Sequence, residues 1–196
     1  MERRPVFIIT VPHAECLAEH LEAGFHTCDT LAVRAANELS AELVRIGAEV
    51  VGPIVGDTNR TVRGDLNRRV SRGSPFRVRV DREIRSAKLP FVLDVHSFDP
   101  GSGWDYSGPG EPLLVFLDGR ERYGESGIPE RIIGYLPRWL AERSSAGGSW
   151  KNDIVHAAVG LGARGAVLIE FSEAELGTVD KLREVIAPLS GAIVKI

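Results

Sequence analysis

The chain has 196 residues, with 24 Lys and Arg against 27 Asp and Glu, a formal charge of -3, and a 43% hydrophobic, 26% charged composition. That length suits one domain over residues 1–196, and the composition excludes disordered and fibrous classes. No apolar run reaches the ~20 residues of a membrane span, and the N-terminal stretch reads as a first strand rather than a signal peptide.

The predicted elements alternate. Residues 6–11 (VFIITV) form a continuous apolar run, the mark of a strand covered on both faces. Residues 27–46 read as a helix, with Leu31, Ala35, Leu39 and Leu43 on one stripe, Thr27 or Asp29 as its cap and Gly47 as its stop. Residues 49–55 form a weaker strand, interrupted by Gly52 and Pro53. An Arg-rich loop over 56–74 leads into a helix over 75–87. A strand over 91–95 then ends at His96. The Gly- and Pro-dense stretch 99–111, with Trp104 and Tyr106, is a loop directly after His96, either a lid over whatever binds there or a surface connection. A strand over 113–117, helices over 129–143 and 149–160, a strand over 166–171, a helix near 179–186 and a last apolar run over 192–196 complete the chain. Strands separated by helices predict an α/β three-layer sandwich with a mostly parallel mixed sheet.

In such sheets ligands sit beyond the carboxyl ends of the strands, so the residues at those ends matter most. Pro12, His13 and Glu15 come after the first strand, His96 and Ser97 come after the 91–95 strand, and Glu170 lies inside the 166–171 strand. Two imidazoles and carboxylates converging on one sheet edge are the kit of a zinc hydrolase, in which protein ligands leave one coordination position open. A lone strand-end histidine is usually an ordinary polar residue, but two of the five histidines at such positions point to a shared role. Glu170 between Ile169 and Phe171 carries a desolvation cost that needs a partner or a duty. Asp94, two residues before His96, shares its strand face and is placed to orient an imidazole.

Between residues 57 and 85 lie nine arginines against four acids. Arginine without lysine suits bidentate recognition of a carboxylate. Arg79, Arg82 and Arg85 read as a solvated helix face. Arg60, Arg68 and Arg77, in or beside the loop after the second strand, are the candidates for ligand contact. Nucleic-acid binding is disfavoured by the acidic total and by the interleaved carboxylates. Neither phosphate-binding glycine motif is present after the first strand.

The ordered set VPHAE (11–15), RTVRGDLNR (60–68), DVHS (94–97) and LIEF (168–171) resembles the N-formylglutamate amidohydrolases, within the zinc carboxypeptidase and aspartoacylase group. Arg60-x4-Asp65-x-Asn67-Arg68 is the most specific element, and HTCD (26–29) and Asn152-Asp153-Ile154 are similar to a compact branch of the same group. The resemblance implies a single metallohydrolase domain with a phosphorylase/hydrolase-like, zinc-carboxypeptidase-like sandwich that cleaves an amide bond in a small carboxylate-bearing substrate. It implies His13 and His96 as ligands of one Zn2+, Glu170 as general base, Arg60 as oxyanion donor, and Asn67 and Arg68 on the substrate carboxylate. Asp65 joins Asp94 as a supporting carboxylate behind the ligands. The group's second ligand, a Glu three residues after the first His, is replaced here by Cys16. Asp29 is the preferred substitute, with Glu15 and Cys16 as alternatives. The missing Ser-Gly pair after His13 leaves the acyl group open, and an inactive ligand-binding relative remains the rival reading. Only two cysteines, Cys16 and Cys28, are present, which excludes a disulfide framework and fits a reducing cytoplasm.

Overall fold

β1 (Val6–Val11) is buried at every position because strands flank it on both sides and helices cover both of its faces. These observations come from a computed structural model that describes residues 5–14, 29–56, 65–98, 112–121, 127–147 and 152–196. β1 pairs in parallel with β2 (Glu49–Val55) and with β3 (Pro90–Phe98), and β3 pairs in parallel with β6 (Gly165–Ser172). β4 (Val115–Glu121) runs antiparallel to β6 and parallel to β5 (Ser144–Ala146), giving the order β2-β1-β3-β6-β4-β5. The sheet is therefore mixed and mostly parallel, as the alternation of elements predicts.

Strand periodicity sorts the side chains into two cores. Phe7, Ile9, Val11, Phe91, Leu93, Val95, Val167 and Ile169 face one layer, built by α1 (Ala32–Arg45), α3 (Ile128–Gly134), α4 (Arg138–Ala141) and α7 (Val179–Ile193). Ile8, Val92, Phe116, Ala166 and Leu168 face the other, built by α2 (Pro75–Ser86) and α5 (Asp153–Gly160). Burying each large apolar side chain contributes about 1.5–3 kcal/mol, so the central strands hold the layers together. β1 connects to β2 on one side, and the next crossover returns to β3 on its other side. The chain order reverses between β1 and β3, and a crevice opens there at the strands' carboxyl ends.

Several boundaries differ from the sequence reading for local reasons. β3 continues to Phe98, so His96 lies within a strand and is in register with β6 rather than standing beyond a strand end. The helix expected over 129–143 divides into α3 and α4 at Pro137, which has no N–H to donate and stands at the start of α4. The residues after α4 form the short edge strand β5. Conversely, Pro188 sits inside α7, which runs past the expected end at 186 because Leu189, Ala192 and Ile193 bury their side chains. The last apolar run thus begins inside α7 and leaves it after Ile193. A short helix, α6 (Glu173–Leu176), comes directly after β6. The start of the helix expected at 149 and the 99–111 loop lie outside the described residues.

Candidate metal centre

The turn after β1 carries His13, β3 carries His96, and the residue two positions before the α1 cap is Asp29. All three are buried, at 2%, 4% and 5% exposure. One potential ligand atom from each lies within 4.8 Å of the others. The imidazoles meet edge to face, with ring centroids 4.9 Å apart. The chain brings them together because β1 and β3 are neighbours at the reversal point, so residues far apart in sequence share one crevice.

The histidines are held in the same way. His13 presents Nε2 to Asp65 Oδ1 at 2.8 Å, and His96 presents Nε2 to Asp94 Oδ2 at 3.0 Å. With Nε2–H donated to those carboxylates, each Nδ1 is turned toward Asp29 Oδ2, at 3.4 Å from His13 and 2.8 Å from His96. His13 Nδ1 is buried without a hydrogen-bond partner among the described residues. Ligands bound to zinc at ~2.0–2.2 Å in a tetrahedron stand roughly 3.3–3.6 Å apart; the His13–Asp29 separation of 3.4 Å falls in that range and the His96–Asp29 separation of 2.8 Å is shorter. Two imidazole nitrogens and one carboxylate, with an orphaned buried nitrogen among them, fit a divalent ion. Carboxylates behind the imidazoles fix ring orientation and raise ligand basicity.

The electrostatics arise from the geometry. Burial alone would raise the Asp29 pKa, but the two imidazoles, His13 and His96, hold it well below the ordinary carboxylate range. Burial alone would lower the His96 pKa, but Asp94 and Asp29 drive it well above its ordinary value. Such concentrated, mutually compensating charge in a crevice is the signature of a functional centre.

The supports reach into both layers. Asp94, fully buried, accepts from Thr10 Oγ1 at 2.5 Å and from Asn152 Nδ2 at 2.7 Å. Asn152 also caps α5 through Val155 N, so the helix and the site share one residue. Asp65 accepts from Asn67 N and from Arg68 Nε at 3.1 Å, which shapes the 65–68 turn. Asn67 packs its amide nitrogen 3.4 Å from His96 Nε2 and has its Oδ1 buried. The Arg68 side chain is 43% exposed, so the turn that holds His13 reaches solvent through it.

Glu170 is half-buried on β6, in register with His96 across the β3–β6 pair and facing the same side of the sheet. Arg77 is a correction. It was expected against the substrate, yet it is only 1% exposed, pairs with Asp153 Oδ2 at 3.0 Å and donates to the Leu66 carbonyl. A buried guanidinium needs such partners, and Arg77 braces the 65–68 turn from behind. Asp29 is also not the helix cap expected of it, since Leu31 stands at that position with no side-chain cap. Arg60, Glu15, Cys16 and Cys28 lie outside the described residues, as do Trp104 and Tyr106. The sequence reading assigns no role to Thr10 or Glu173, and Asn152 enters it only within the Asn152-Asp153-Ile154 element. The visible signal for Thr10 was a hydroxyl within an otherwise apolar strand, and for Asn152 a helix-start residue.

The fold is a three-layer α/β sandwich around a mostly parallel mixed sheet, an architecture it shares with solved structures that include a carboxypeptidase and a candidate metallopeptidase. No family model and no curated protein matches the chain. Among solved structures, a gene product of Agrobacterium tumefaciens is similar, with a TM-score of 0.60 at 17% identity, over 98% of this chain and 90% of that one. The D,L-carboxypeptidase of Helicobacter pylori, in its mDAP-bound form, gives 0.53 at 13% identity over 98% of this chain, which spans 50% of that protein. A candidate metallopeptidase of Shewanella denitrificans gives 0.51 at 10% identity, over 99% and 75% of the two chains. At these identities the likeness establishes the architecture.

Proposed function

We propose that this chain is a metal-dependent hydrolase that cleaves the amide bond of a small N-acyl amino acid, N-formyl substrates included, or of a peptide terminus. The observation that carries this reading is the pair of buried imidazoles, each anchored at Nε2 by its own carboxylate and each turning Nδ1 toward Asp29. His13, Asp29 and His96 hold one Zn2+. When bound, the ion supplies a Lewis acid that polarises the scissile carbonyl and acidifies water in the crevice. Glu170, beside His96 on the neighbouring strand, takes the proton of the attacking water and returns it to the leaving amine. Arg60 stabilises the oxyanion, and Asn67 with Arg68 receives the substrate carboxylate. The hydrolase- and peptidase-type neighbours support the reaction class.

The cationic stretch supports a small ligand over a nucleic acid, because Arg68, Arg72, Arg77 and Arg82 are each paired with a carboxylate. Among the described residues no helix is long and apolar enough to cross a membrane, and the two cysteines support a place in the reducing cytoplasm.

Metal analysis of the purified protein, together with a screen of N-formyl, N-acetyl and N-succinyl amino acids beside short peptides, tests the proposal. One equivalent of zinc and chelator-sensitive release of an amine are expected. A zinc-loaded protein inert toward every member of the panel would leave a binding role in place of the enzyme.

A further inference from the structure

Asp29 stands where a helix cap is expected, yet its carboxylate is turned to the two imidazoles. The cap position falls instead on Leu31, so α1 starts without a side-chain cap, and its first turn has no acidic residue. Two side chains from elsewhere in the chain hold the amides just ahead of the helix, directly after Asp29. Glu173 Oε1 accepts from Thr30 N at 2.7 Å, and Ser97 Oγ accepts from Leu31 N at 3.2 Å. Ser97 Oγ in turn donates to the same Glu173 oxygen at 2.6 Å.

Neighbouring residues on a strand point to opposite faces. His96 therefore faces the metal side of the sheet while Ser97 faces the α1 side. The same step of β3 receives the Asp29 carboxylate with one side chain and grips the backbone just after Asp29 with the next. Glu173, at the start of α6, locks that grip from the end of β6. A negative carboxylate at this end of α1 is also favoured by the helix dipole.

We infer that Glu173 and Ser97 form a positioning clamp that fixes the backbone directly after Asp29 and so sets its carboxylate as the third metal ligand. The inference rests on the metal-site reading above and adds two positioning residues to it. Neither touches substrate. Because Glu173 acts as an acceptor for two donors, a glutamine retains that capacity through Oε1, whereas an alanine does not.

The experiment compares wild type, Glu173→Ala, Glu173→Gln, Ser97→Ala and Ile132→Val. Zn2+ affinity is measured by competition with a chromophoric chelator, and metal-free crystals show whether the 2.8 Å contact of Asp29 with His96 persists. Ile132 is a fully buried α3 residue, and its variant controls for lost stability alone. Glu173→Ala is expected to weaken Zn2+ binding about 10-fold or more, the scale of outer-sphere metal-site mutations, and to lose the contact. Ser97→Ala weakens binding less, because Glu173 still holds Thr30. Glu173→Gln stays near wild type, and Ile132→Val lowers the melting temperature without changing affinity. Wild-type affinity and an intact contact in Glu173→Ala would overturn the clamp. If wild type takes up no zinc, the metal reading falls, and the contact in metal-free crystals alone decides the clamp.

Discussion

His96 on β3 and Glu170 on β6 are register partners across a parallel pair, so their side chains rise from the same face of adjacent strands. Parallel strands lie roughly 4.8 Å apart, which sets a carboxylate next to the imidazole, and Glu170 is outside the group of His13, Asp29 and His96 whose ligand atoms converge. Glu170→Gln should therefore keep full metal content while turnover falls about 100- to 10,000-fold, the range of general acid–base contributions. Elemental analysis beside steady-state kinetics on the best substrate checks both halves. Unchanged turnover would remove Glu170 from the chemistry.

The identity of the third ligand can be settled by metal content alone. Asp29 is the carboxylate both imidazoles face, whereas Cys16 stands three residues after His13 and Glu15 just before it. His13→Ala, His96→Ala and Asp29→Ala should each lose most of their zinc after gel filtration, while Glu15→Gln and Cys16→Ser retain it. A zinc-free Cys16→Ser with a fully loaded Asp29→Ala would transfer the role to the thiolate.

Asp65 and Asp94 hold equivalent atoms of the two histidines, but their settings differ. Asp94 is interior and tied to Thr10 and Asn152, whereas Asp65 shapes a turn whose Arg68 reaches solvent. Asp65→Ala frees the His13 ring to rotate or change tautomer, and also releases Arg68. Zinc affinity should drop about 10- to 100-fold, and KM for a carboxylate-bearing substrate should rise. Isothermal titration with Zn2+ and substrate kinetics would show it. An effect on KM without one on zinc would mean that Asp65 serves the turn alone.

Much of the fold was legible in the sequence because it depends on periodicity. The apolar runs at β1, β3 and β6 reveal the sheet, and the polar residues within or just beyond those runs include His13, His96 and Glu170. The short motif around Asn67 and Arg68 locates the turn that meets them. Roles that depend on tertiary contact were not legible. Arg77 sits in an Arg-rich stretch like its neighbours, and only the packing of α2 beneath the 65–68 turn shows that it faces Asp153 rather than a ligand. Glu173 lies 143 residues from the amide it accepts, a pairing with no local trace. Pro137 and Pro188 look alike in sequence, yet one ends a helical stretch and the other is carried within a helix by the buried residues beyond it.

Asp153 joins the inner and outer arginines at the back of the site. It binds Arg77, 1% exposed, through one oxygen and that same oxygen also meets Arg72 Nε, while its other oxygen takes Arg72 Nη2. Removing one partner of a buried pair costs about 3–5 kcal/mol, because the remaining charge is left without compensation. Arg72 is 48% exposed and the pair opens to solvent on that side, so the lower end, about 3 kcal/mol, applies to Asp153→Ala at neutral pH. Burial alone would raise the Asp153 pKa, but hydrogen bonds and charge from Arg72 and Arg77 bring it below its ordinary value of 3.8. A folded value below the unfolded one means that the contribution is complete above the unfolded pKa and disappears as pH falls through the folded one. Urea unfolding should therefore separate wild type from Asp153→Ala at pH 7, with the gap narrowing only in strongly acidic solution. Asp153→Asn, which retains an acceptor but not the charge, should fall between them. A gap that stayed constant down to the acid limit would assign the effect to packing at the start of α5 instead of to the ion pair.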